Sequence, residues 1–248
     1  SGKHAPSGSE KAFAWRNLTK TMNEQEVMSF IYSHNNPYYP KDNHPLIWAW
    51  DLETGKLAWK KDFSEYGSGG NDCGLALMDG NLYYSTFFGY QADKRRRRGI
   101  TEGINGLTAK IEPTTGKVQW LSTKHHVTAG CTVTAKDGRL YLGGYNPVNE
   151  TTKDRHIWCL DAKDASVIWK SDAVPSAVNV VTVGEKFIFS NAIRAQCHVF
   201  DKATGKIPYR FDLDYNCARF TFSEPYLMGP NMDMLDLSNG HKLVATGP

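Results

Sequence analysis

Short alternations of apolar and polar residues, broken by polar turns rich in glycine, run along most of the chain. "IWAWDLETGKLAWKKD" from Ile47 and "IWCLDAKDASVIWKSD" from Ile157 show the arrangement almost in duplicate. A period of two predicts strands, because successive side chains in a strand point to opposite faces. Asp79-Gly80 and Asp137-Gly138 mark hairpin turns, where glycine takes a backbone conformation that other residues avoid. They sit inside "CGLALMDGNLYYS" from Cys73 and "CTVTAKDGRLYLGG" from Cys131; "VNVVTVGEKFIFS" from Val178 is a weaker copy. Helical patterns are scarce.

The second hairpin of each unit carries a repeat: an acidic residue, glycine four positions on, and an aromatic residue four positions after that. Asp51, Gly55 and Trp59 fit it, as do Glu112, Gly116 and Trp120. Asp161, Ala165 and Trp169 keep the spacing with alanine at the centre; Asp201, Gly205 and Tyr209 keep it with tyrosine at the end. Asp236, Gly240 and Val244 form a fifth copy without the ring. Two hairpins per unit make a four-stranded meander, and a series of such units predicts an all-β propeller. The units fall at about 27–66, 67–124, 125–172, 173–214 and 215–248, after an N-terminal extension over residues 1–26. The first unit lacks an evident innermost strand, since "TMNEQE" ahead of "VMSFIYS" is too polar. Insertions at Phe87–Gly106 and Asn146–Arg155 lengthen the link between second and third strands and predict loops on one rim.

The blocks "DLETGKLAW" and "EPTTGKVQW" resemble the repeat of the pyrroloquinoline-quinone (PQQ)-type β-propellers, which share their blade architecture with WD40-like proteins. The resemblance covers roughly residues 27–248. It implies a propeller of seven or eight blades, of which five are legible. A piece of a larger ring is favoured over a closed five-bladed ring or blades completed by a second chain. The family includes quinoprotein alcohol dehydrogenases and non-catalytic relatives, such as the periplasmic propeller of the outer-membrane assembly machinery. The resemblance implies that a catalytic member carries two adjacent cysteines beside the quinone, a calcium held by Glu, Asn and Asp, and an Asp base. None of Cys73, Cys131, Cys159, Cys197 and Cys217 is adjacent to another. The expectation is therefore a non-catalytic, periplasmic or secreted binding module, with no catalytic residue assigned. The rival is a subunit of a PQQ- and calcium-dependent or other metal-dependent oxidoreductase.

Charge adds one feature. The 248-residue chain has a formal net charge of +3, and five cations lie in one run, Lys94 to Arg98; without them the balance is −2. A spread basic face, as nucleic acid requires, is absent. Arg95, Arg96, Arg97 and Arg98 suit a polyanion or an acidic protein tail at a rim loop. Arg219 and Glu224 are expected on the last inner strand, near the channel, to bind a ligand or to pair with each other. No apolar run is long enough to span a bilayer as a helix. The five cysteines have no metal-ribbon spacing. Cys73 and Cys131 each stand six residues before a hairpin aspartate, and Cys217 six before Ser223, so all three are expected at one height on inner strands. With His125 and His126 they form a candidate soft-metal set. Small-residue packing is the competing reading.

Overall fold

A computed structural model describes residues 11–14, 29–34, 45–67, 73–87, 106–125, 133–143, 156–174, 178–192, 197–211, 221–229, 234–239 and 242–245. They form five four-stranded antiparallel sheets, each with its strands in chain order. The first contains β1 (Lys11–Ala14), β2 (Ser29–His34), β3 (Leu46–Asp51) and β4 (Leu57–Asp62). The second contains β5 (Cys73–Met78), β6 (Asn81–Phe87), β7 (Gly106–Ile111) and β8 (Val118–Ser122). The third contains β9 (Thr134–Lys136), β10 (Arg139–Gly143), β11 (Ile157–Asp161) and β12 (Val167–Lys170). The fourth contains β13 (Val178–Val183), β14 (Phe187–Ala192), β15 (Cys197–Asp201) and β16 (Tyr209–Phe211). The fifth contains β17 (Thr221–Ser223), β18 (Tyr226–Met228), β19 (Met234–Asp236) and β20 (Lys242–Ala245).

One boundary differs from the sequence reading. The inner strand of the first sheet is Lys11–Ala14, paired Lys11 to Ser33 and Ala14 to Phe30, inside the stretch set aside as an extension. Adjacency in sequence is a poor guide here, because a sheet needs only a free backbone edge and an alternating segment to fill it.

The repeat is explained by its hydrogen bonds. The Asp51 N–H donates to the Lys56 carbonyl (2.9 Å), and the Gly55 N–H donates to the Asp51 carbonyl (2.8 Å). The same pair of bonds closes the turns at Glu112, Asp161 and Asp201. Closing them drives the fifth residue into left-handed space, with φ of 65° at Gly55, 71° at Gly116, 62° at Ala165 and 72° at Gly205. That conformation favours glycine. The acidic side chain caps the same turn: Asp51 Oδ1 accepts from the Thr54 N–H (2.7 Å) and hydroxyl (2.8 Å). Asp201 does the same with Thr204, at 2.8 and 2.7 Å. Glu112, one methylene longer, reaches the N–H groups of Thr114 (3.0 Å) and Thr115 (2.9 Å).

The chain divides into two compact units, residues 1–129 with 147–150 and residues 130–146 with 151–248. Within the first unit, Trp59 on β4 is 8% exposed and lies on the outer turn of the second sheet. Its indole N–H donates to the Pro113 carbonyl (2.7 Å). A methyl group added at Gly116 would stand 2.7 Å from the Trp59 ring, so the glycine is required by contact as well as by φ. Ile47, Ala49 and Phe63 pack beside it against Leu82, Tyr84, Leu107 and Ile111, and Phe63 stacks on Tyr84 at 5.4 Å.

The second unit repeats the lock. Trp169 on β12, 9% exposed, donates its indole N–H to the Lys202 carbonyl (3.1 Å), and its ring lies 2.6 Å from where a Gly205 methyl would stand. Around it Tyr141, Ile157, Cys159 and Val174 meet Val181, Ile188 and Phe200. Between the fourth and fifth sheets, Phe189, Cys197 and Val199 pack on Leu227 and Leu235. Phe222 presses against Gly184 there. Tyr209, the aromatic of the fourth copy, is 43% exposed and meets Phe187 edge-on at 6.2 Å. Trp120 is half-buried, its ring 6.3 Å from Tyr83 of its own sheet. Trp48 and Trp158, both half-buried, are each covered by the lysine across the ladder, with Lys60 and Lys170 ammonium groups 5.5 Å from the rings.

Ala165→Gly is expected to raise stability by about 1 kcal/mol, since it removes a left-handed alanine. Trp169→Ala is expected to lower it by about 3–5 kcal/mol. Denaturant titration of both variants checks the pair; equal stabilities would contradict it.

Candidate binding groove on the turn rim

In a four-strand meander the first and third turns share one end, and the link between second and third strands leaves from the other. The second unit therefore brings Asp137-Gly138, Glu185-Lys186 and Glu224-Pro225 to the same rim as the outer turn at Lys202–Gly205. These turns are tied together from sheet to sheet. Lys136 pairs with Glu185, and Lys202 Nζ lies 2.5 Å from Asp137 Oδ2. Glu224 Oε1 accepts from the N–H groups of Glu185 (3.2 Å) and Lys186 (3.3 Å), which fastens the fifth sheet to the fourth. Asp172 accepts from the Lys206 ammonium (3.0 Å) and the Ile207 N–H (3.2 Å).

Between these ties runs a groove of about 510 Å³. Asp137, Glu185 and Asp201 line it as anions, Arg139, Lys186 and Lys202 as cations, and Phe187 as its apolar wall. A second hollow of about 280 Å³ shares Lys186 and Phe187 and continues over Phe222, Pro225 and Leu237. The Lys202 hydrogen bond holds the Asp137 carboxyl below its ordinary range, and the Lys206 bond does the same for Asp172. Beneath the groove, burial pushes the Tyr141 hydroxyl up to about 12 and the Cys159 thiol up to about 11. Both stay protonated at neutral pH, so Cys159 is a packing thiol and not a nucleophile.

The structure redistributes the residues singled out from sequence. Glu224, expected on an inner strand, stands in the exposed turn after β17, because that strand ends at Ser223. Cys73 begins β5. His125 is buried after β8. Arg95 to Arg98, Cys131, His126, Cys217 and Arg219 lie outside the described residues; the arginine run belongs to the link between β6 and β7. Among the described residues no three of His, Cys, Asp and Glu come together as a metal site. No helix among them is long and apolar enough to cross a membrane. Asp137, Glu185, Lys186 and Lys202 were missed because each looks like an ordinary turn residue, and Arg139 and Phe187 because each looks like an ordinary strand residue. The only signal was the recurrence of charge at equivalent turns: Asp137, Glu185 and Glu224.

Residues 105–227 match the family model described as outer membrane protein assembly factor BamB. Over those residues the repeat is of the PQQ-like β-propeller type. Solved structures agree on the fold. The C-terminal WD40 domain of Sif2 superposes with a TM-score of 0.58 at 10% identity, covering 87% of this chain and 53% of that one. Quinohemoprotein alcohol dehydrogenases of Pseudomonas putida HK5 and Comamonas testosteroni give TM-scores of 0.57 and 0.56 at 11% and 14% identity. Each covers 88% of this chain, which spans 40% and 41% of theirs. No curated protein sequence matches the chain. At such identities the likeness to solved structures is one of fold.

The ties on this PQQ-like rim give it an acid limit. Asp137 and Asp172 have lowered carboxyl pKa values in the folded protein, so their contribution is complete above the unfolded carboxylate range near pH 4 and is lost as pH falls through the lower folded values. Thermal unfolding is expected to show a falling melting temperature below about pH 4, with a shallower fall in Lys202→Met. Superimposable acid limbs would contradict the role of the Lys202 tie.

Proposed function

We propose that this chain is a non-catalytic propeller module that binds another protein through a rim. The observation that carries the reading is the groove of the second unit. Turns from two successive sheets build it, their ion pairs set its shape, and its charges contribute nothing to the hydrophobic packing of the blades. The family model that matches residues 105–227 describes an assembly factor, which fits a role in holding proteins together. A periplasmic or extracellular location belongs to the same reading. The cysteine pattern supports it too, since the sequence offers no adjacent pair to flank a quinone.

A second reading has its own support. The quinohemoprotein alcohol dehydrogenases share the fold, and this chain spans about two-fifths of their length. It would then be part of an oxidoreductase whose quinone and calcium are held by residues outside those described.

The two readings part on one assay. Purified protein is incubated with PQQ and calcium, and the reduction of a redox dye by a primary alcohol is followed. No turnover above the cofactor alone is expected; protein-dependent turnover would overturn the non-catalytic reading.

A further inference from the structure

The charges of the larger groove are unevenly committed. Asp137 is taken by Lys202 and Glu185 by Lys136. Asp201 is turned onto its own hairpin, where Oδ1 accepts from the Ala203 N–H (3.1 Å) and from the N–H and hydroxyl of Thr204. All three lining carboxylates are thus engaged. Of the lining cations, only Lys202 is in an ion pair; among the described residues Arg139 and Lys186 have no carboxylate within ion-pair distance. Arg139 is half-buried on β10, where its charge also acts on Asp137, Tyr141 and Cys159, and Lys186 is exposed in the turn before β14; both line the same groove from adjacent sheets.

The wall between them is apolar. Phe187 is half-buried and continues into Phe222, Pro225 and Leu237 of the smaller hollow, which adjoins the larger one through Lys186 and Phe187. In that hollow the one carboxylate, Glu224, has an oxygen already bound to two backbone N–H groups. The two hollows make one track: cations outside the described ion pairs at its start, rings and aliphatic carbon farther along. A small inorganic anion would satisfy only the first half.

We infer that this track binds an extended, acidic–apolar segment of a partner protein, its carboxylates on Arg139 and Lys186 and its apolar side chains on Phe187 and Phe222. A planar guanidinium accepts a carboxylate in two parallel hydrogen bonds, and an ammonium adds a point charge. Partial burial of Arg139 strengthens the contact relative to an open surface pair. The inference rests on the reading of the chain as a binding module and assigns the chemistry of its partner.

The test uses the whole chain and three fluorescein-labelled peptides: Asp-Glu-Leu-Phe-Asp, the same peptide with Lys for each acidic residue, and the same with Ala for Leu and Phe. Anisotropy at low salt is expected to show binding of the first, about tenfold weaker binding of the alanine version, and none of the lysine version. Lys186→Gln, an exposed change, is expected to weaken the first peptide about tenfold. Arg139→Gln is expected to do the same, its circular dichroism and melting curve confirming the fold. Equal binding of the acidic and lysine peptides would overturn the inference. So would undiminished binding of the alanine version, which reduces the site to a plain anion hole, or an unaltered affinity in Lys186→Gln. The dye assay reports on the binding-module reading without involving the groove, so a protein that neither oxidises alcohol nor distinguishes the peptides rejects only this assignment.

Discussion

An indole ring lying on a glycine joins sheet to sheet in both units. Trp59 over Gly116 and Trp169 over Gly205 bury a large apolar surface, place an N–H on a carbonyl of the turn, and leave no room for a β-carbon. Three requirements meet at one glycine: left-handed backbone, the closing hydrogen bond of the hairpin, and the ring above it. The acidic residue four positions earlier, Glu112 or Asp201, stiffens the same turn through its side chain. The repeat is therefore a single mechanical joint, with the aromatic residue of one sheet fitted to the turn of the next.

That joint is why so much of the fold was legible. Where all three residues meet, as at Trp59 over Gly116 and Trp169 over Gly205, each makes a contact that fits its residue type. Where one partner is missing the pattern loosens. Gly55 has open space above it and keeps glycine for φ alone, while Ala165 bears the left-handed strain itself. The inner strand of the first sheet was not legible, since nothing local ties Lys11–Ala14 to β2 across the intervening chain. Glu224 was placed on the inner strand, which ends one residue before it at Ser223.

The candidate site was less readable for a related reason. Arg139, Lys186 and Phe187 converge only when turns from two sheets reach the same rim, and no local pattern records that. Hydrophobic packing fixes the rim, the ion pairs Lys136–Glu185 and Lys202–Asp137 hold adjacent turns in register, and among the described residues Arg139 and Lys186 stand outside those pairs. A charge engaged in holding the frame is unavailable to a ligand, so the inferred binding character rests on the two cations outside these ion pairs. Function of this kind sits on a fold shared with quinoproteins and WD40 domains without being dictated by it.

The ring-on-glycine joint is tested most directly by a double-mutant cycle in the first unit. Gly116→Ala is measured by denaturant unfolding in the parent chain and again with Trp59→Ala in place. If the Trp59 ring occupies the space above Gly116, the alanine penalty falls by about 1–3 kcal/mol once the ring is removed. Strictly additive effects would show that the ring and the glycine do not meet, and the joint would not exist.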